Sequence, residues 1–207
     1  MNFFNDITDA TNFKTASYEY QLSFKDLLFK IHNSYLNMKN KEFNLPKNEN
    51  KIRDKLVDRY LSKEIKDYVF KKEEKSNLGR VDIYIIDKLD DSNPHFIIEC
   101  KLLDNKNIDG VKGLNAEYVR NGIQRLITGY YKDTILTNAM IGFIVTNLDK
   151  EKNIQSINKL VEKILNGLII INKEISLDEK IIYKSVYNTH FKEYIIFHLM
   201  MDFSKNV

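Results

Sequence analysis

A single cysteine, Cys100, among 207 residues excludes an intramolecular disulfide and a zinc centre built on several thiolates. A metal held by this chain is therefore expected on oxygen ligands. Glycine (seven) and proline (two) are too scarce for a low-complexity or linker segment, and no internal repeat is visible. No apolar run reaches the roughly 18 residues that a membrane-spanning helix needs. Residues 1–10 lack the basic-then-apolar layout of a secretory signal, so the expectation is a cytoplasmic protein with no membrane partner. An excess of one charge is missing too: 32 basic residues stand against 29 acidic ones, a net charge of +3. A nucleic-acid surface would have to come from local clustering rather than from total charge.

What is present is an ordinary globular balance, 43% hydrophobic and 29% charged, in a length suited to one domain spanning 1–207. Within residues 15–39, Phe24, Leu27, Leu28, Ile31, Tyr35 and Met38 recur at helical spacing. Pro46 and Asn48 signal the start of a second helix, with Ile52, Leu56, Tyr60 and Ile65 as its apolar stripe and Glu49 in its first turn. The polar run 71–77 ends at Leu78-Gly79, and the Lys-rich segment 63–75, interspersed with acids, reads as a solvated mixed-charge face. Residues 81–86 and 96–102 then read as two strands joined by a wide polar turn. A helix follows on Val119, Ile123, Leu126, Ile127 and Tyr130, then a buried strand at 139–146 and a helix through Ile154, Ile157, Leu160, Val161 and Ile164. Two further strands are predicted at 181–187 and 194–201, while 168–171 suits a strand or a helix end equally. The pattern is that of an α/β fold: a mixed central sheet flanked by helices, with an N-terminal helix and C-terminal strands.

The chemistry is concentrated in the first two strands. Alternation puts Val81, Ile83 and Ile85 on one face and Asp82 on the other; next door, Phe96, Ile98 and Cys100 face away from Glu99 and Lys101. Acids inside apolar strands are costly unless paired or bound to a cation. Clustered carboxylate oxygens suit a hard ion such as Mg²⁺, with Lys101 placed to position water or to stabilise an anion. Without that ion Asp82 and Glu99 are expected to repel each other. Glu49 has two readings, a further member of this site or a first-turn acid favoured by the helix dipole.

The run Gly79-Arg80-Val81-Asp82-Ile83, a hairpin, and then Ile98-Glu99-Cys100-Lys101 resembles the PD-(D/E)xK nuclease superfamily. The resemblance covers residues 45–148 and implies a restriction-endonuclease-like core of αβββαβ order. It implies further that Asp82 and Glu99 bind Mg²⁺, or Mn²⁺ in its place, that the Cys100 carbonyl assists, and that Lys101 helps to activate water. A helix-borne acid placed like Glu49 also occurs in the superfamily. Val81 stands where the motif's name has proline. The helix Tyr118-Val119-Arg120-Asn121-Gly122-Ile123-Gln124-Arg125 is similar to the one that follows the motif in small bacterial nucleases of this class.

The resemblance thus implies a metal-dependent nuclease acting on DNA, an endonuclease of restriction or antiviral defence, working as a homodimer or within a larger complex. Arg120, Gln124 and Tyr131 are its candidate phosphate contacts, though Arg and Gln four apart also mark any solvated helix face. A non-catalytic nucleic-acid-binding or assembly subunit of the same fold, and an RNA-directed nuclease, are the alternatives. His190 and His198 lie in an aromatic, strand-like tail and read as packing residues, and Cys100 reads as a small buried hydrophobe.

Overall fold

The computed structural model describes residues 3–76, 79–89, 96–128, 136–165, 176–179, 181–188 and 192–207. The chain begins with α1 (Phe3–Lys41), then α2 (Glu49–Leu56), which continues through a π-helical turn, Val57–Leu61, into α3 (Ser62–Glu64). Three strands follow, β1 (Tyr68–Ser76), β2 (Gly79–Asp87) and β3 (Phe96–Leu103). Next comes α4 (Leu114–Tyr118), joined by a second π turn, Val119–Ile123, to α5 (Gln124–Ile127). The chain ends with β4 (Thr137–Ile144), α6 (Lys150–Ile164), β5 (Ser176–Glu179), β6 (Ile182–Asn188) and β7 (Glu193–Asp202).

The strands make one mixed seven-stranded sheet in the order β1-β2-β3-β4-β7-β6-β5. Its centre is parallel, β3 on β4 and β4 on β7, and its margins are antiparallel. The parallel β3–β4 pair requires a crossover, and the α4–α5 segment supplies it. Helices cover both faces, as the period-2 alternation of the central strands demands. Ile98, Ala139, Ile141, Phe143, Phe197 and Leu199 pack with α1 and α2. On the other face Ile97, Leu103, Met140, Ile144 and Ile196 pack with α4, α5 and α6. The fold is therefore α/β with a mixed sheet flanked by helices.

Local signals explain the helix starts. Asn48 is extended and its side chain accepts from Lys51 N at 3.0 Å, so α2 opens with Glu49 as its first residue. Asp149 caps α6 in the same way on Lys152 N. The apolar residues expected on the first helix are all buried, although α1 starts at Phe3 rather than near residue 15.

Two strands lie where the sequence pattern predicts none. Residues 68–76, within the Lys-rich segment and the polar run, form β1, paired antiparallel with β2 from Tyr68↔Asp87 to Ser76↔Gly79. As the sheet's edge it buries Tyr68 and Phe70 and carries five consecutive charged residues, 71–75, a common device of edge strands. The short β5 was also not anticipated. Segment 168–171 and the middle of the β2–β3 connection lie outside the described residues. Among the described residues no helix is long and apolar enough to cross a membrane.

Candidate functional site

The site forms where β2 and β3 part. Their pairing runs through Ile85↔Phe96, Tyr84↔Ile97 and Ile83↔Ile98, and one step further along stand Asp82 and Glu99. There Cys100 N donates to the Asp82 side chain, Oδ2 at 2.9 Å. The carboxylate thus sits in the gap between the strands. The expected alternation breaks at this point: Ile83 and Ile85 pack with α1 and α2, whereas Val81 packs with the α4–α6 layer. Val81 therefore does not share the face of Ile83 and Ile85 that strand parity gives it, while Asp82 still meets Lys101.

Lys101 occupies the centre. Its Nζ donates to Cys100 O at 2.5 Å and to Glu49 Oε1 at 3.0 Å, and it lies 3.5 Å from Asp82 Oδ2 and 3.7 Å from Glu99 Oε2. Glu49 is fixed by a second bond, Leu102 N to its Oε2 at 3.1 Å, so the start of α2 is tied to the end of β3. Glu49 is thus the first-turn acid of α2 and, at the same time, a partner of Lys101. Glu99 is 1% exposed, Asp82 7% and Lys101 9%. Burial pulls the Lys101 pKa down, but Asp82, Glu99 and Glu49 outweigh it and hold the ammonium above its ordinary range.

The residue that sequence reasoning missed is Arg53. Only 1% exposed, its guanidinium donates to Asp82 Oδ1 (Nη1, 2.8 Å), Asp54 Oδ1 (Nη2, 2.8 Å) and Glu73 Oε1 (Nη2, 2.9 Å). A signal existed: on a helix, position 53 falls between the apolar positions 52 and 56, so the arginine sits on the inward stripe. Burial depresses the guanidinium pKa and the three carboxylates more than restore it, leaving it raised. Glu73 lies between the Lys72↔Ile83 and Glu74↔Val81 pairs of the β1–β2 register, has a positive φ of 51°, and also meets Arg80 at 3.3 Å.

Above these groups opens a cleft of about 400 Å³. Its helical wall presents Glu117, Asn121 and Arg125, and Arg80 lines it from β2. Arg120 and Gln124, the expected phosphate contacts, are not among its lining residues; Arg120 Nη1 instead donates to Val111 O. The cleft is faced instead by the adjacent row of the helix, Glu117, Asn121 and Arg125, which are also four apart. Glu117 and Asn121 are hydrogen-bonded to each other. Gly122 lets this turn approach β4: a Cβ there would meet Met140 Cε at 2.2 Å, with Lys101 Cγ at 3.8 Å. Tyr131 lies outside the described residues, as does His190.

The remaining candidates are structural. His198 is fully buried between Tyr118 Oη and Ser185 Oγ, each 2.8 Å from a ring nitrogen, and burial pushes its pKa down to about 3. The Cys100 thiol faces the α1 layer, and burial, reinforced by Asp82, pushes its pKa well up. It is no nucleophile in this state.

Among the described residues no three His, Cys, Asp or Glu side chains stand ready to hold a metal ion. The ammonium takes that place. The donors around it, carboxylates of Glu49, Asp82 and Glu99 with the Cys100 carbonyl, are all oxygen and match a hard cation in kind. Comparison of the chain with protein-family models, curated proteins and solved structures finds no match.

Proposed function

We propose that the protein is a Mg²⁺-dependent nuclease that hydrolyses DNA phosphodiester bonds, built on a restriction-endonuclease-like core. The observation that carries the reading is the convergence of four oxygens, from Glu49, Asp82, Glu99 and Cys100, on the Lys101 ammonium at the floor of an open cleft. The element order α2-β1-β2-β3-α4-β4 supports the fold assignment, since it follows αβββαβ. Asp82, Glu99, the Cys100 carbonyl and Glu49 would hold Mg²⁺ or Mn²⁺. When bound, such an ion offsets negative charge at a phosphate and acidifies water.

The chain's own residues supply the rest. Arg53 fixes the rotation of the Asp82 carboxylate, so that Oδ2 faces the site while Oδ1 is held from behind. Lys101 keeps its proton and stands as a cation beside the place where charge develops on a phosphate. Arg80 and Arg125 flank the cleft and are suited to backbone phosphates, replacing Arg120 and Gln124 in that role. A restriction or antiviral defence setting, with a homodimer to cut both strands, is the accompanying proposal.

The direct assay incubates the protein with supercoiled plasmid DNA and with RNA, each with Mg²⁺, with Mn²⁺ and with EDTA. Metal-dependent conversion of plasmid to nicked or linear forms is expected. Cleavage of RNA alone would move the activity to the RNA-directed alternative, and binding without cleavage would leave a nucleic-acid-binding subunit.

A further inference from the structure

Lys101 is both the proposed helper of the reaction and the present occupant of the space in which the oxygen donors converge. A compact ammonium carries three donors and one charge; here it is within 3.7 Å of three carboxylates and 2.5 Å from a carbonyl. A divalent ion drawn to the same oxygens would stand a few ångströms from the ammonium, a strongly repulsive arrangement at the low effective dielectric of a buried site. The two cations therefore compete. The surroundings allow the ammonium to leave: Lys101 lines the cleft, which is open above it.

We propose that Lys101 is an internal plug: its ammonium closes the oxygen cage in the ion-free protein, and binding of a divalent ion releases it into the cleft, where it meets the substrate phosphate. This inference rests on the metal-site reading above and adds an order of events to it. Ion entry arms the lysine. It also makes phosphate binding follow ion binding: of the charged residues lining the cleft, four are acids (Glu49, Asp82, Glu99, Glu117) and three are bases (Arg80, Lys101, Arg125), a sum of −1 that one divalent ion turns to +1.

Two measurements on the full chain test it, neither requiring activity. The first is lysine acetylation with acetic anhydride read by mass spectrometry, with and without Mn²⁺. Lys101 is shielded in the ion-free protein, so its labelling rate is expected to rise at least several-fold with Mn²⁺ while that of exposed lysines such as Lys63 stays constant. The second is Mn²⁺ binding by titration calorimetry to the parent and to Lys101→Met. Loss of a unit charge a few ångströms from the ion should tighten binding by about tenfold or more. If Mn²⁺ binds the parent but leaves Lys101 labelling unchanged or slower, the plug is overturned while the metal site stands. Equal or weaker Mn²⁺ binding by a folded Lys101→Met does the same. If the parent binds no Mn²⁺, the metal-site reading itself falls and takes the plug with it. Should Lys101→Met not fold, acetylation of the parent still decides the matter.

Discussion

Arg53 Nη1 stands 2.8 Å from Asp82 Oδ1, a buried ion pair that joins the inward face of α2 to the point where β2 leaves β3. Taking a guanidinium to 1% exposure is costly, and replacing a buried pair by apolar side chains is often neutral or stabilising. The pair is therefore poorly explained as a device for stability alone. It makes sense as a support: with Oδ1 held by Arg53 and Oδ2 by Cys100 N, the carboxylate has one orientation. Glu73 and Asp54 share the same guanidinium and tie β1 and α2 into the support.

Replacing Arg53 by Met should destabilise the protein by about 3 kcal/mol, because Asp82 keeps its burial and loses its principal counter-ion. Urea unfolding followed by circular dichroism measures this. A loss below about 0.5 kcal/mol, the scale of an ordinary surface change, would mean that the pair contributes little.

Asp82→Asn separates repulsion from support. From sequence, neutralising Asp82 is expected to relieve repulsion with Glu99 and to raise stability in metal-free buffer. The structure reverses that sign, because Asp82 faces Arg53 and Lys101 as well. Loss of a charge-assisted bond to Arg53 should cost about 2 kcal/mol. A melting temperature for Asp82→Asn at or above the parent value in EDTA would restore the original expectation.

Acid should weaken the fold through His198. Its folded pKa, about 3, lies below the unfolded value near 6.5, so the unfolded chain binds the extra proton first. Stability is then full above about pH 6.5 and declines toward pH 3, at up to about 1.4 kcal/mol per pH unit. His32, depressed by burial and by Lys150, adds to the same trend. Stability curves from pH 7 to pH 4 should be flatter for His198→Gln than for the parent; parallel curves would show that the unfolding proton goes elsewhere.

Mg²⁺ should raise the melting temperature, since a ligand bound only by the folded state stabilises it by mass action. At ten times its dissociation constant the gain is about 1.4 kcal/mol. Glu49→Gln should reduce the response, because Glu49 stands in the same oxygen set from the start of α2. A Glu49→Gln protein with the parent's full Mg²⁺ response would return that acid to a purely helix-dipole role.

The parts of this architecture that were legible in sequence share one property: a short-range rule fixes them. Capping placed Glu49 at the start of its helix, apolar alternation found β3, and three ionisable residues inside apolar strands marked Asp82, Glu99 and Lys101. The parts that were not legible depend on partners far along the chain. β1 looks like a solvated run because an edge strand is held by its neighbour's main chain, with little apolar signature of its own. Arg53 is buried only because Asp82, 29 positions later, returns to meet it. Arg125 rather than Arg120 lines the cleft because which row of the helix faces β2 and β3 is set by tertiary packing, not by the spacing within the helix. The break in alternation at Asp82 has the same character: a side chain enters a strand gap that only the third dimension reveals.

The central claim is that Glu99 and Lys101, with Asp82, form a metal-dependent phosphodiesterase site. It is tested most directly by the rate of plasmid cleavage in Mg²⁺ by parent, Glu99→Gln and Lys101→Met proteins, each shown by circular dichroism to be folded. Both variants should cleave about a thousandfold more slowly than the parent, the scale expected when a principal electrostatic contributor is removed from such a site. Folded variants that cut at the parent rate would contradict the account and place any nuclease activity elsewhere on the chain.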